Sequence, residues 1–124
     1  MKQLLFFSII WILFLSCSKK REDDKEVPVV TISSPVNNQV FSAGETIQIQ
    51  GTVTDNQYIK VVHIEINNLA TDAEYLHVHI IPGSKTYAIN QPLTLQSGIS
   101  YKIKVSAEDP SANTFSQQLN ISCN

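Results

Sequence analysis

Cysteine is scarce in this chain: two in 124 residues, at positions 17 and 123. Only Cys123 lies beyond the N-terminal segment, so no internal disulfide framework is expected. Cys123 is one residue from the C-terminus and reads as a thiol on a frayed tail, with an intermolecular bridge as the alternative. Tryptophan occurs once, at Trp11, before the folded part begins. Glycine occurs four times, scattered at turns, so no glycine-rich loop cradles a phosphate. There is no nucleophile elbow and no metalloprotease signature; the chain is not expected to be an enzyme. Positive charge is not in excess either, with a formal net charge of −2. From Val27 onward only Lys60, Lys85, Lys102 and Lys104 face seven acids, among them Asp55, Glu65 and Asp109. A chain without a basic patch is a poor partner for nucleic acid. Finally, no apolar run approaches the roughly 20 residues of a membrane-spanning helix.

What is present begins with a shorter apolar run, Leu4 to Leu15, broken only by Ser8 and preceded by Lys2. A positive start, a short apolar stretch and a small exit residue describe a secretory signal peptide over 1–16. Ser16 is the small residue, and Cys17 follows it. The thiolate is the best nucleophile the chain can offer for thioether formation. Residues 17–26 then set Lys19, Lys20, Arg21 and Lys25 against Glu22, Asp23, Asp24 and Glu26. The charges cancel and apolar content is minimal, so this segment reads as a flexible tether.

Residues 27–124 form one domain. Alternation at period two dominates and no amphipathic helix is evident. Strands are expected at VVTIS (29–33), TIQIQGTVTD (46–55), IKVVHIEIN (59–67), YLHVHII (75–81), KTYAINQ (85–91), SYKIKVSAED (100–109) and TFSQQLNIS (114–122). LTLQSG leads to a turn, and turn signals also stand at Asn37-Asn38 and Ala43-Gly44. Gly51 within the second run marks a bulge or a close approach. Phe115, Leu119 and Ile121 share the inward face of the last strand, interrupted by Gln117. About seven short strands at regular spacing specify an all-β, immunoglobulin-like antiparallel sandwich behind the signal peptide.

Two resemblances attach to these residues. The Ser16-Cys17 junction after an apolar run resembles the lipobox of bacterial lipoproteins, which implies lipidation and cleavage at Cys17. The lysines and acids behind it are similar to surface-export tags of Bacteroidetes lipoproteins. From VTISSPVNNQVFSAGETIQIQGTVTDNQYIKVVHIEI and SGISYKIKVSAEDPSANT, the domain resembles bacterial immunoglobulin-like domains, and the whole chain resembles an uncharacterised Bacteroidetes lipoprotein family. The resemblance places Tyr101 at a tyrosine corner. It implies an outer-membrane lipoprotein, displayed at the cell surface or facing the periplasm. Held in the membrane by lipid at Cys17, it would act as a binding or interaction module whose partner is another envelope protein or a glycan. A structural spacer or accessory subunit of an envelope complex is the alternative. Glycan platforms lean on exposed aromatic faces, and the domain offers mainly Tyr58, Tyr75 and Tyr87.

Two polar constellations remain. His63, His77 and His79 lie in two neighbouring strand segments. Burial fixes one register: Ile66 opposite Leu76, Ile64 opposite Val78, Val62 opposite Ile80. It sets His63 opposite His79 and Glu65 opposite His77 on the solvent face. Their imidazoles and carboxylate are candidate ligands for Zn²⁺ or Cu²⁺, against the plainer reading of a solvated polar face. No other cofactor is expected. The second constellation is Asp55 and Asn56 after one strand, with Glu108, Asp109 and Asn113 around the last hairpin. Loops of such a sandwich meet at one end, where hard oxygens can hold calcium. The competing reading is that Asp and Asn are ordinary turn formers.

Overall fold

A computed structural model describes residues 23–124. It contains eight strands: β1 (Val29–Ser34), β2 (Gln39–Phe41), β3 (Thr46–Thr54), β4 (Val61–Asn68), β5 (Glu74–Ile80), β6 (Thr86–Thr94), β7 (Ser100–Glu108) and β8 (Thr114–Cys123). They form two sheets, one of order β1-β3-β6 and one of order β2-β8-β7-β4-β5. The expected sandwich is therefore present. The strand count rises by one because the first edge crosses between sheets: β1 pairs antiparallel with β3, and β2 pairs parallel with β8. Pro35, after a cis Ser34-Pro35 bond, and the Asn37-Asn38 turn lie at the crossing. Asn38, with φ of 65°, tolerates a left-handed conformation that few other residues do. The sixth strand is longer than expected and runs through Pro92. Pro92 lies opposite Gln48 on β6, which is an edge of its sheet, where a missing amide is harmless.

The core is the set of inward stripes read from the alternation. Ile47, Ile49 and Val53 of β3 and Ile89 and Leu93 of β6 meet Val62, Ile64 and Ile66 of β4 and Ile103 and Val105 of β7, all buried. Tyr101 is fully buried, and its hydroxyl accepts a hydrogen bond from the Gln96 amide at 3.0 Å. It closes the turn before β7, as a tyrosine corner does.

Gly51 is a close approach. A Cβ there would come within 2.1 Å of the Thr31 carbonyl oxygen. The pairing slips beside it, Ile32 facing Gly51 and Ser34 facing Gln50, so β1 bulges at Ser33. Gln117, the break in the apolar stripe of β8, has its use at this bulge. Its Oε1 accepts the Ile32 amide at 2.7 Å across the two sheets.

Two expectations fail. Phe115 is 43% exposed, not in the core. It keeps the inward parity of its strand but stands at the end of β8 opposite Ala107, beside exposed Thr114 and Ser116. Cys123 is buried, at 6% exposure, rather than on a frayed tail. Parallel pairing of Phe41 with Cys123 carries β8 almost to the last residue.

Candidate functional site

The outer face of the five-stranded sheet carries the histidines. β4 and β5 pair directly, with Val62 opposite Ile80, His63 opposite His79, Ile64 opposite Val78, Glu65 opposite His77 and Ile66 opposite Leu76. This is the register that burial requires. His63 Nδ1 lies 3.0 Å from His77 Nε2, and the His63 and His79 rings meet edge to face, centroids 4.7 Å apart. Burial, helped by His79 and His77, lowers the His63 pKa below the ordinary histidine value. The two facing nitrogens of His63 and His77 are within hydrogen-bond distance, near the spacing that two ligands of one tetrahedral zinc adopt, roughly 3.3 Å from Zn–N bonds near 2.05 Å.

Glu65 does not join them. β4 lies between β5 and β7, so Glu65 also faces Lys104, and its carboxylate pairs with that ammonium at 3.2 Å. His77 turns its other nitrogen to Glu74, at 3.5 Å. The outward stripe Lys102 and Lys104 on β7 was the missed signal. It alternates with Tyr101, Ile103 and Val105 and predicts cations beside the acids of β4. Lys102 bonds Asp72 in the same way, and this holds the Asp72 carboxyl below its usual range. The result is a mixed-charge surface with a two-nitrogen histidine pair at its edge.

Among the aromatics, Tyr58 is 44% exposed. Tyr75 sits at the irregularity where Ile66 faces Leu76 and Asn67 faces Glu74. The irregularity turns its ring onto Tyr101, centroids 5.4 Å apart, and its hydroxyl donates to the Thr94 carbonyl of the other sheet at 3.3 Å. Tyr87 packs partly against the core. Of the three, Tyr58 has its face least committed.

The second site lies at the end of the sandwich where the β3–β4 connection meets the β7–β8 hairpin. Asp109 is fully buried and organises the hairpin. Its Oδ1 accepts the Ser111 and Asn113 amides at 2.8 and 2.9 Å, and its Oδ2 accepts Asn113 Nδ2 at 2.7 Å. Asp55 is 9% exposed, and its Oδ2 accepts the Gln57 amide at 2.9 Å. Between them comes a residue expected only as part of the tether. Asp24 accepts Asn56 Nδ2 on its Oδ1 at 3.1 Å and Asn113 Nδ2 on its main-chain oxygen at 2.8 Å. One carboxylate oxygen each from Asp24, Asp55 and Asp109 lies within 4.8 Å of the others. Asn56 and Asn113 thus serve as donors that hold the acids, and Glu108 turns away to Lys60 at 2.8 Å. Nothing local to this charge-rich run distinguishes Asp24 from its acidic neighbours, so the sequence alone does not single it out.

Comparison with known proteins fits the architecture. Residues 28–105 match the family model described as Bacterial Ig domain. The PII-type and PI-type proteinases of Lactococcus lactis subsp. cremoris are each 28% identical over 100 residues. The match covers 79% of this chain but 5% of each proteinase. Among solved structures, the fibronectin(III)-like modules of Clostridium thermocellum CbhA superpose with a TM-score of 0.50 at 23% identity, covering 77% of this chain and 96% of theirs. A superoxide reductase (neelaredoxin) from Ignicoccus hospitalis gives 0.51 at 11% identity, covering 80% and 81%. At such identities these likenesses speak of the sandwich and not of chemistry. The family match spans more than half of the sequence, from β1 through β6 and into β7: the chain belongs to the bacterial Ig domain family.

Proposed function

We propose that this chain is a lipid-anchored protein of the bacterial envelope that presents one Ig-type module as an interaction or spacing element. The observation that carries the reading is the apolar run from Leu4 to Leu15 closing on Ser16-Cys17, which lies outside the described residues. An N-terminal cysteine bearing two or more acyl chains anchors stably, whereas one chain does so only marginally. The module supports the reading because its family membership and fold class are those of interaction and structural domains. The outer membrane is the proposed location, with the mixed-charge face of the five-stranded sheet as the surface offered to another envelope protein or a glycan. The residues that bring the chain into the domain do so beside the β3–β4 connection and the β7–β8 hairpin, where Asp24 meets Asn56 and Asn113.

The test is Cys17→Ala in cells fed radiolabelled palmitate. The parent is expected to take up label, migrate at the size of a chain cut before residue 17, and sediment with membranes. The variant is expected to lose the label and accumulate unprocessed. Equal labelling and processing of both would refute the anchor.

A further inference from the structure

The acidic cluster at the end of the sandwich is electrostatically incomplete. Asp24, Asp55 and Asp109 bring three carboxylates together, and none of the ion pairs among the described residues involves them. Lys60, the lysine nearest in sequence to Asp55, is taken by Glu108. Hairpin geometry accounts for Asp109, whose two oxygens accept three bonds, but not for the other two acids. Asp55 Oδ1 and Asp24 Oδ2 are buried and have no hydrogen-bond partner. Asp55 is more than nine-tenths buried as a residue. A buried carboxylate oxygen without a donor is costly, and two beside a third carboxylate are a poor end state for turn formers alone.

We propose that the cluster is a calcium site and that the ion fastens the chain entering the domain to the two loops it passes. The ligand chemistry is hard oxygen throughout, which suits Ca²⁺ and excludes thiophilic ions. Asp24 Oδ2, Asp55 Oδ1 and an Asp109 oxygen supply the charge, and water completes the shell of six to eight. Asn56 and Asn113 orient Asp24 through their amide donors. Asp24 belongs to no strand, so its attachment depends on these few bonds and on the ion. With calcium bound, the segment before Val27 is pinned to the domain at Asp24. Without it, three carboxylates repel and the segment is released. The site does not depend on lipidation; if the chain is anchored, the ion sets how freely the domain swings. Three carboxylates with a largely aqueous shell fit the weak class of extracellular modules, with Kd of about 0.1–1 mM.

The experiment uses the full chain, stripped with chelator and titrated with CaCl2 by calorimetry, with MgCl2 in parallel. Trypsin cleavage after Lys25, read by mass spectrometry, reports attachment of the segment. Calcium is expected to bind in the stated range, raise the melting temperature and slow cleavage at Lys25 several-fold. Asp24→Asn, which removes one carboxylate from a segment outside the strands, is expected to weaken binding at least tenfold and abolish the protection. Asp55→Asn is expected to weaken binding equally. Absence of calcium binding up to about 10 mM overturns the proposal. So does binding that Asp24→Asn leaves intact, and so does binding that leaves Lys25 cleavage unchanged.

Discussion

At the scale of single residues, His63 shows how environment decides chemistry. It sits half-buried on β4, facing His77 and His79 from β5, with Glu65 on its own strand and Glu108 on β7 also near. Burial and the two neighbouring imidazoles outweigh the acids and lower its pKa. A folded-state value below the unfolded value means that the unfolded chain takes up the proton first as pH falls. Stability from this group is full above the ordinary histidine value, about 6.5, and declines below it until the depressed folded value is reached. Melting temperatures between pH 7.5 and 5 should fall, and less steeply in His63→Gln than in the parent. Parallel curves for the two would show that the histidine cluster carries no such linkage. The same imidazoles were legible in the sequence as one face, because alternation alone sorts His63, His77 and His79 from the apolar stripe. Alternation puts Glu65 on that face too, but its partner is not legible, since Lys104 lies about 40 positions away in sequence and reaches it only through the β4–β7 pairing.

At the scale of elements, β1 is the instructive strand. It is an edge strand of six residues that bulges at Ser33 because Gly51 lets its backbone come close. The bulge costs a ladder bond, and Gln117 from the other sheet takes the Ile32 amide in its place. Gln117→Leu would repair the apolar stripe of β8 and leave that amide without an acceptor. Unmet amides of this kind cost about 1–3 kcal/mol, more than one partly buried leucine side chain returns. The expected result is a lower denaturant midpoint and faster hydrogen exchange at Ile32 than in the parent. A variant more stable than the parent would mean that the glutamine is incidental. The interrupted stripe was visible in the sequence and the reason for it was not, because a cross-sheet acceptor has no local signature.

At the scale of the whole molecule, the two sheets are not separable units. Val53 on one and Val105 on the other are both fully buried, and each would be exposed if its sheet stood alone. Unfolding should therefore be a single cooperative transition. In the Cys17→Ala chain, far-ultraviolet dichroism, near-ultraviolet dichroism and labelling of the Cys123 thiol should share one midpoint. Before that midpoint the thiol should react slower than a free one by roughly two orders of magnitude or more, since it must wait for opening. Early labelling would mean that the end of β8 frays while the sandwich stays intact.

The sequence by itself determined the stripes, the all-β class, the β4–β5 register and the positions of most turns. These follow from alternation and from the special backbone needs of glycine, proline and asparagine, both of which are local. Tertiary structure decided what depends on distant segments meeting. It split the first edge between two sheets, buried Cys123, exposed Phe115 and gave Glu65 to Lys104. It also brought Asp24 to Asp55 and Asp109. Turn chemistry explains why Asp55 and Asp109 stand in their loops, but only closure of the sandwich puts the loops side by side with the incoming chain. Burial and charge at that junction are properties of three segments at once, and no window of the sequence contains all three.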